Sequence, residues 1–243
     1  MPRTDTNTET FDLYEGHDPR GIPTYGITET ARYLKIPLAT LRSWVHGRYY
    51  PTEAGKKFFS PVITLPDTHQ PLLSFYNLVE AHVLDAIRRN HNIPLFKVRD
   101  ALSYLENMSH SKHPLADHWF QTNGVDLFIE EYGKLVSVSQ QGQLAMRELI
   151  QAYLQRIERD PGGSAARLYP FIRKDRPEGP RLVVIDPFIS FGKPVLAGTG
   201  IPTAVIAERY QAGESMDELA KDYGLKRSQI EEAVRYEFTS RAA

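Results

Sequence analysis

The chain has 243 residues, 41% of them hydrophobic, enough for one or two domains with real cores, and its formal net charge of −1 confines any nucleic-acid surface to a local patch. It has no cysteine, which excludes disulfides, cysteine nucleophiles and thiolate metal sites. No apolar run approaches the roughly 18 residues of a membrane span, and nothing after Met1 resembles a signal-peptide core, so a cytoplasmic protein is expected.

Residues 1–24 are polar, acidic and rich in Thr, Asp and Glu, and read as a flexible arm. Behind them Ala31 and Leu41 stand ten apart, the spacing of a helix-turn-helix. A small residue on the first helix lets the second cross closely, and an aliphatic residue on the second fills the gap. Thr28 is the expected N-cap, with Glu29 where the helix dipole favours an anion. After Gly47, the runs Arg48 to Pro51 and Phe58 to Ile63 predict two short strands around a turn, the position of a wing.

From Tyr25 to Lys57 six basic residues face two acids, a local charge of +4. On the second helix Leu41 and Trp44 face inward, and Thr40, Arg42, Ser43 and His46 are assigned to the outer face. There a guanidinium reads guanine in the major groove, and hydroxyls or imidazole reach bases or phosphates. Arg48 opens the wing, and Lys56 and Lys57 at its tip would meet phosphates. The bland alternative is a solvated helix in a protein-binding module, since this motif also serves protein contacts.

Helical spacing of Phe75, Leu78, Val79, Val83, Ala86 and Ile87 predicts a helix from Ser74 to Asn90. A second opens at Pro94 with Leu95, Val98, Leu102 and Leu105 on one side. Residues 109–124 read as a His-rich connector ending in the turn signal Asn123-Gly124. Alternating Val125, Leu127 and Ile129, then Leu135 to Val138, predict a β-hairpin. An amphipathic helix is expected from about Gln140 to Arg159, burying Leu144, Leu149, Ile150, Tyr153, Leu154 and Ile157. Arg167, Arg173, Lys174, Arg176 and Arg181, interrupted by prolines, read as a linker or basic docking strap.

Two short strands, Leu182 to Ile185 and Phe188 to Phe191, are expected next. A second helix-turn-helix then places Ala220 and Ile230 ten apart, with Pro202 at a first helical position, a Ser215/Glu218 capping box and Gly224 as a stop. Its last helix carries Ile230, Ala233, Val234 and Phe238. From Thr203 to Arg241 six bases face eight acids, a charge of −2, so this unit reads as a dimer or partner surface. About 40 residues make a marginal core alone.

The His110, His113, Asp117 and His118 group matches no compact zinc spacing and reads as a solvated connector. The glycines around Lys193 lack the Ser or Thr that follows the lysine of a phosphate loop. No nucleophile has a paired base, so neither an enzyme nor a cofactor is indicated.

Residues 25–108 resemble the winged helix of MerR-type regulators through Tyr-Gly-Ile-Thr-Glu-Thr-Ala from 25, Pro-Leu-Ala-Thr-Leu-Arg-Ser-Trp at 37–44 and Ile-Pro-Leu-Phe-Lys-Val-Arg at 93–99. Residues 181–236 are similar to the small helix-turn-helix domain of VapB-like antitoxins. The matching segments are Val-Val-Ile-Asp-Pro at 183–187, Phe-Gly-Lys-Pro-Val at 191–195, Gly-Thr-Gly-Ile-Pro-Thr at 198–203 and Leu-Ala-Lys-Asp-Tyr-Gly-Leu at 219–225. This resemblance implies an antitoxin that neutralises a PIN-like ribonuclease and binds its own operator DNA, as a homodimer. The basic strap at Arg167, Arg173, Lys174, Arg176 and Arg181 would face the nuclease carboxylates. The alternative is a MerR-like ligand-responsive regulator without a toxin. The expected fold is mainly α: an arm at 1–24, a MerR-like winged helix-turn-helix at 25–108, a connector at 109–180 with a β-hairpin and helix, and a three-helix helix-turn-helix domain at 181–243.

Overall fold

Strand β1 (Tyr25–Gly26) runs directly into helix α1 (Ile27–Leu34) in the computed structural model, which describes residues 14–52, 55–89, 95–109, 111–135, 139–171 and 179–241. Gly26, not Thr28, is the N-cap of α1, and Thr28 lies within the first turn. Lys35 ends the helix in the left-handed region at φ 54°. A non-glycine residue there costs about 1–2 kcal/mol, and the Lys35 ammonium is held 5.1 Å from the ring of Tyr236. Helix α2 (Leu38–His46) follows after Pro37. Ala31, Leu41 and Trp44 are all buried in one core, as the ten-residue spacing requires.

Strands β2 (Arg48–Thr52) and β3 (Gly55–Phe59) form an antiparallel hairpin behind α2, with Tyr49 opposite Phe58 and Tyr50 opposite Lys57. The chain then returns to α2, where the Trp44 carbonyl accepts the amides of Val62 at 2.8 Å and Ile63 at 3.1 Å. Strand β4 (Leu72–Leu73) pairs with β1. Helix α3 (Phe75–Arg89) is started by a reciprocal cap: the Asn77 amide donates to the Ser74 hydroxyl at 3.2 Å, and the Ser74 amide to the Asn77 side chain at 3.1 Å. Helix α4 (Leu95–Ser109) buries Val98, Leu102 and Leu105; Pro94 and Asn90 lie outside the described residues.

The hairpin expected over 125–138 is a helix. A π-helical turn at Phe120–Gly124 continues into α5 (Val125–Leu135). Its buried residues are Val125, Phe128, Ile129 and Tyr132, a spacing of three and four. The apparent alternation used Leu127, which is only partly buried, and overlooked Phe128 and Tyr132. Asn123-Gly124 does not turn the chain back, and residues 136–138 lie outside the described residues.

Helix α6 (Gln140–Leu154) stops short of the expected end, and Leu144 is exposed rather than buried. Beyond it β5 (Ile157–Arg159) pairs with β6 (Ala165–Leu168). This hairpin is not the one expected over 125–138; it lies where the sequence suggested the end of a helix and the start of a basic strap. Arg167 sits within β6, not in a strap. Helices α3 and α6 meet through buried polar groups: the Tyr153 hydroxyl donates to Asp85 at 3.0 Å, and His82 Nε2 lies 3.1 Å from the Tyr153 carbonyl.

Residues 14–24, expected as part of a flexible arm, are fastened to the fold. The Tyr14 hydroxyl donates to the Pro187 carbonyl at 3.1 Å, and Arg20 binds Asp160 at 2.6 Å. Residues 1–13 lie outside the described residues.

Strand β7 (Val183–Val184) pairs with β8 (Val195–Leu196), not with 188–191. Phe188 to Phe191 form no strand, because Ser190 and Phe191 both have positive φ and lead into a 3-10 turn at Ser190–Gly192. Pro202 caps α7 (Thr203–Gln211) from outside its first turn. Helix α8 (Met216–Tyr223) has the expected Ser215/Glu218 capping box and ends at left-handed Gly224, and α9 (Arg227–Arg241) closes the chain. Leu196, Ile206, Leu219, Ile230, Ala233 and Val234 form their core, whereas Phe238 remains partly exposed beside Tyr210. The described protein is thus mainly helical with small antiparallel hairpins.

Candidate nucleic-acid interface

The outward face of α2 is narrower than the sequence suggests. Arg42 and His46 are exposed and Thr40 is half-buried, but Ser43 is buried and its hydroxyl donates to the Thr40 carbonyl at 2.7 Å. Ser43 therefore satisfies the helix and does not face a groove. The hairpin is set against the end of α2 by Gly47, whose φ of 71° and missing side chain are both needed: a Cβ there would stand 2.3 Å from the Phe59 carbonyl oxygen and 2.8 Å from Phe58 Cζ.

The hairpin pleat separates two sets of side chains. Exposed Tyr49 and Phe58 share one face at 5.0 Å between ring centroids, with Lys56 in the same alternating set. Arg48, Tyr50, Lys57 and Phe59 make the other: Arg48 lies 4.0 Å from the Tyr50 ring centroid, and Tyr50 meets Phe59 edge-on at 4.8 Å. Arg88 in α3 and Arg99 in α4 are both half-buried. Burial pushes both guanidinium groups below the usual arginine range, and the neighbouring Arg48 charge adds to the shift at Arg88.

Arg42, Arg48, Lys56 and Lys57 form no ion pair among the described residues. The second helix-turn-helix is different. Arg209 binds Glu214 and Asp222, Arg227 binds Asp217 at 2.7 Å and Glu231 at 2.8 Å, and Arg235 binds Glu232. These three arginines are paired within the chain, whereas Lys221 and Lys226 are exposed and make no ion pair among the described residues.

Among the strap residues, Arg167 is held by Glu158 at 2.7 Å and by the buried carboxylate of Asp186 at 2.8 Å. Exposed Arg181 lies 5.7 Å from the Tyr169 ring centroid. Arg173, Lys174 and Arg176 lie outside the described residues, as does His110. His113 stacks on Tyr76 and lies 3.1 Å from Glu80, at the edge of a cavity of about 250 Å³ that Asp117, His118 and Ser164 also line. Among the described residues no group of three or more His, Asp or Glu side chains is placed to hold a metal ion. None of the described helices is long and apolar enough to cross a membrane.

Two family models match the chain: "Putative DNA-binding HTH domain" over residues 23–102 and "Protein of unknown function (DUF433)" over residues 183–236. "Putative antitoxin VapB45" of Mycobacterium tuberculosis is 31% identical over 88% of this chain and 93% of its own length. The "Uncharacterized protein Rv2308" of the same organism is 26% identical over 87% of this chain and 89% of its own. The crystal structure of Rv2018 from Mycobacterium tuberculosis superposes with a TM-score of 0.62 at 24% identity, covering 88% of this chain and 97% of that one, and shares the fold.

Proposed function

The chain belongs to the VapB45 family, and on that premise we propose that it is the antitoxin of a toxin–antitoxin pair, reading operator DNA through α2 and the β2–β3 hairpin in the manner of a MerR-like winged helix. It would bind and neutralise a PIN-like ribonuclease encoded beside it and repress the pair as a homodimer. Two reading units in such a dimer would fall on half-sites about one helical turn or a multiple apart. The observation that carries the DNA reading is the contrast in charge pairing: Arg42, Arg48, Lys56 and Lys57 are exposed and make no ion pair among the described residues, whereas Arg209, Arg227 and Arg235 near the other end are engaged by carboxylates. Unpaired surface cations are what a polyanion can use.

The test is a mobility shift with the DNA upstream of the gene. Arg42→Ala lowers affinity for that sequence about tenfold or more. The Lys56→Ala, Lys57→Ala pair weakens binding to every sequence and flattens the salt dependence of log K by about 2. Unchanged binding in both places the DNA surface elsewhere. For the toxin, co-expression with the adjacent gene is expected to give a co-purifying complex and restored growth. Reversing the charge of Arg173, Lys174 and Arg176 with Arg181 weakens that complex, whereas Arg167 is already committed to Glu158 and Asp186. A ligand-responsive regulator without a toxin is favoured by one observation, the cavity beside Tyr76 and His113. A metabolite that raises the melting temperature while the adjacent gene product neither binds nor poisons growth would establish it.

A further inference from the structure

We infer that the outward face of the β2–β3 hairpin, made by Tyr49, Pro51 and Phe58, is an apolar seat for the deoxyribose backbone of DNA, between phosphates met by Arg48, Lys56 and Lys57. The inference rests on the DNA-binding reading above and adds an uncharged contact to it. The register pairs Tyr49 with Phe58 and Pro51 with Lys56, so these four residues share one face. The opposite face carries Tyr50 and Phe59, which meet edge-on at 4.8 Å and are partly buried, whereas Tyr49 is 67% exposed and Phe58 46%. The hairpin therefore turns one ring pair toward the protein and the other toward solvent. The outer pair is held in place. Its ring centroids are 5.0 Å apart, and Phe58 lies so close to Gly47, at the end of α2, that a Cβ there would stand 2.8 Å from Phe58 Cζ. The rings thus keep a fixed position relative to α2, which carries Arg42 and His46.

Two large rings left in water carry a cost that burial against a partner removes. The charge around them selects the partner. Arg48, Lys56 and Lys57 are exposed and make no ion pair among the described residues, and residues 48–59 hold a single acid, Glu53, which lies outside the described residues. The core of a protein interface is depleted in lysine, whereas a DNA strand alternates anionic phosphates with the apolar ring faces of its sugars. Lys56 stands at the tip end of the apolar face, and Arg48 and Lys57 belong to the reverse face. Cations at the margins of the seat can therefore meet successive phosphates while Tyr49 and Phe58 cover the sugar between them. Contacts to sugar and phosphate position a protein without reading sequence, so the seat sets how far Arg42 on the adjacent helix reaches into the groove.

The experiment uses the full chain and two duplexes, the upstream DNA and a scrambled one of equal length, titrated from about 0.1 to 0.4 M salt. Tyr49→Ala and Phe58→Ala are each expected to lower affinity about fivefold, the low end of what removing a ring from a nucleotide contact costs. The loss is the same on both duplexes and at every salt concentration. A contact that displaces water and no counterion shifts log K without changing its salt slope, which separates the rings from the Lys56, Lys57 pair. Tyr49→Phe binds as the wild type does. Melting temperatures of the same variants establish that they fold. If Tyr49→Phe loses as much as Tyr49→Ala, the hydroxyl bonds a phosphate and the apolar seat is overturned. A loss confined to the upstream duplex identifies a base contact and also overturns it. If folded Tyr49→Ala and Phe58→Ala bind DNA like the wild type while Arg42→Ala weakens binding, the seat is overturned and the DNA-binding reading survives; failure of those same variants to co-purify with the adjacent gene product then assigns the rings to a protein partner. If the wild type binds neither duplex, both fall.

Discussion

Arg42 and Ser43 are adjacent on α2 and have opposite surroundings. Arg42 projects into solvent, whereas the Ser43 hydroxyl donates to Thr40 within the helix. Ser43→Ala is therefore expected to leave DNA affinity within about twofold of wild type and to cost less than about 1 kcal/mol of stability, since a local side-chain bond to an already bonded helical carbonyl contributes little. A mobility shift and a denaturant melt check both; a tenfold affinity loss would put Ser43 in the interface. Arg20 is the other residue whose surroundings make a sharp statement. It bridges Asp18 at 2.7 Å and Asp160 at 2.6 Å, and its guanidinium holds both carboxyls below the usual aspartate range. Groups with depressed native pKa values stabilise the fold above their unfolded value, about 3.9, and lose that contribution as pH falls through the lowered native value. The melting-temperature gap between wild type and Arg20→Met should therefore be open at pH 7 and close as the pH falls from about 4 to 2. A gap independent of pH would mean that Arg20 acts by packing on Tyr76.

At the scale of elements, legibility followed how much of each signal was local. The α1–α2 unit was readable because Ala31, Leu41 and Trp44 are set by the geometry of two crossing helices, and the Ser215/Glu218 cap because both partners lie within one turn. The hairpin expected over 125–138 is helical as far as Leu135 because an apolar window that fits two periods is decided by its neighbours. Helices α4 and α6 pack against α5, and they bury Phe128 and Tyr132 on the side a strand would have exposed. The turn at 188–192 was misread for another reason. Left-handed Ser190 and Phe191 have no sequence mark and are held by contacts remote in the chain, such as the Ser190 hydroxyl donating to the Gly200 carbonyl at 2.9 Å. Of the residues proposed for the interface, Arg42, His46, Arg48, Lys56 and Lys57 come from local pattern, whereas the burial of Ser43 depends on how α2 packs on the core.

For the whole molecule, the decisive contacts are those joining the last 60 or so residues to the first helix-turn-helix. The small three-helix core of α7–α9, marginal by size, gains burial within the same chain. Tyr236 of α9 is fully buried, donates to the Tyr33 carbonyl at 2.9 Å and lies beneath Lys35, the left-handed residue that ends α1. A second seam lies at Gly192, where φ is 72° and a Cβ would stand 1.9 Å from the Tyr25 hydroxyl oxygen. Both seams land on β1–α1, the support on which α2 is mounted. Tyr236→Phe removes one buried hydrogen bond and is expected to cost about 1 kcal/mol. Gly192→Ala combines an unfavourable φ with a clash against a buried ring and should cost about 3 kcal/mol. If the seams couple the two units, Gly192→Ala raises amide hydrogen exchange in α1 as well as in β7 and β8, and lowers a single cooperative unfolding transition. Exchange that rises only within 183–236, with α1 protected as in the wild type, would show that the two helix-turn-helix units are stable independently and that their contact carries no coupling.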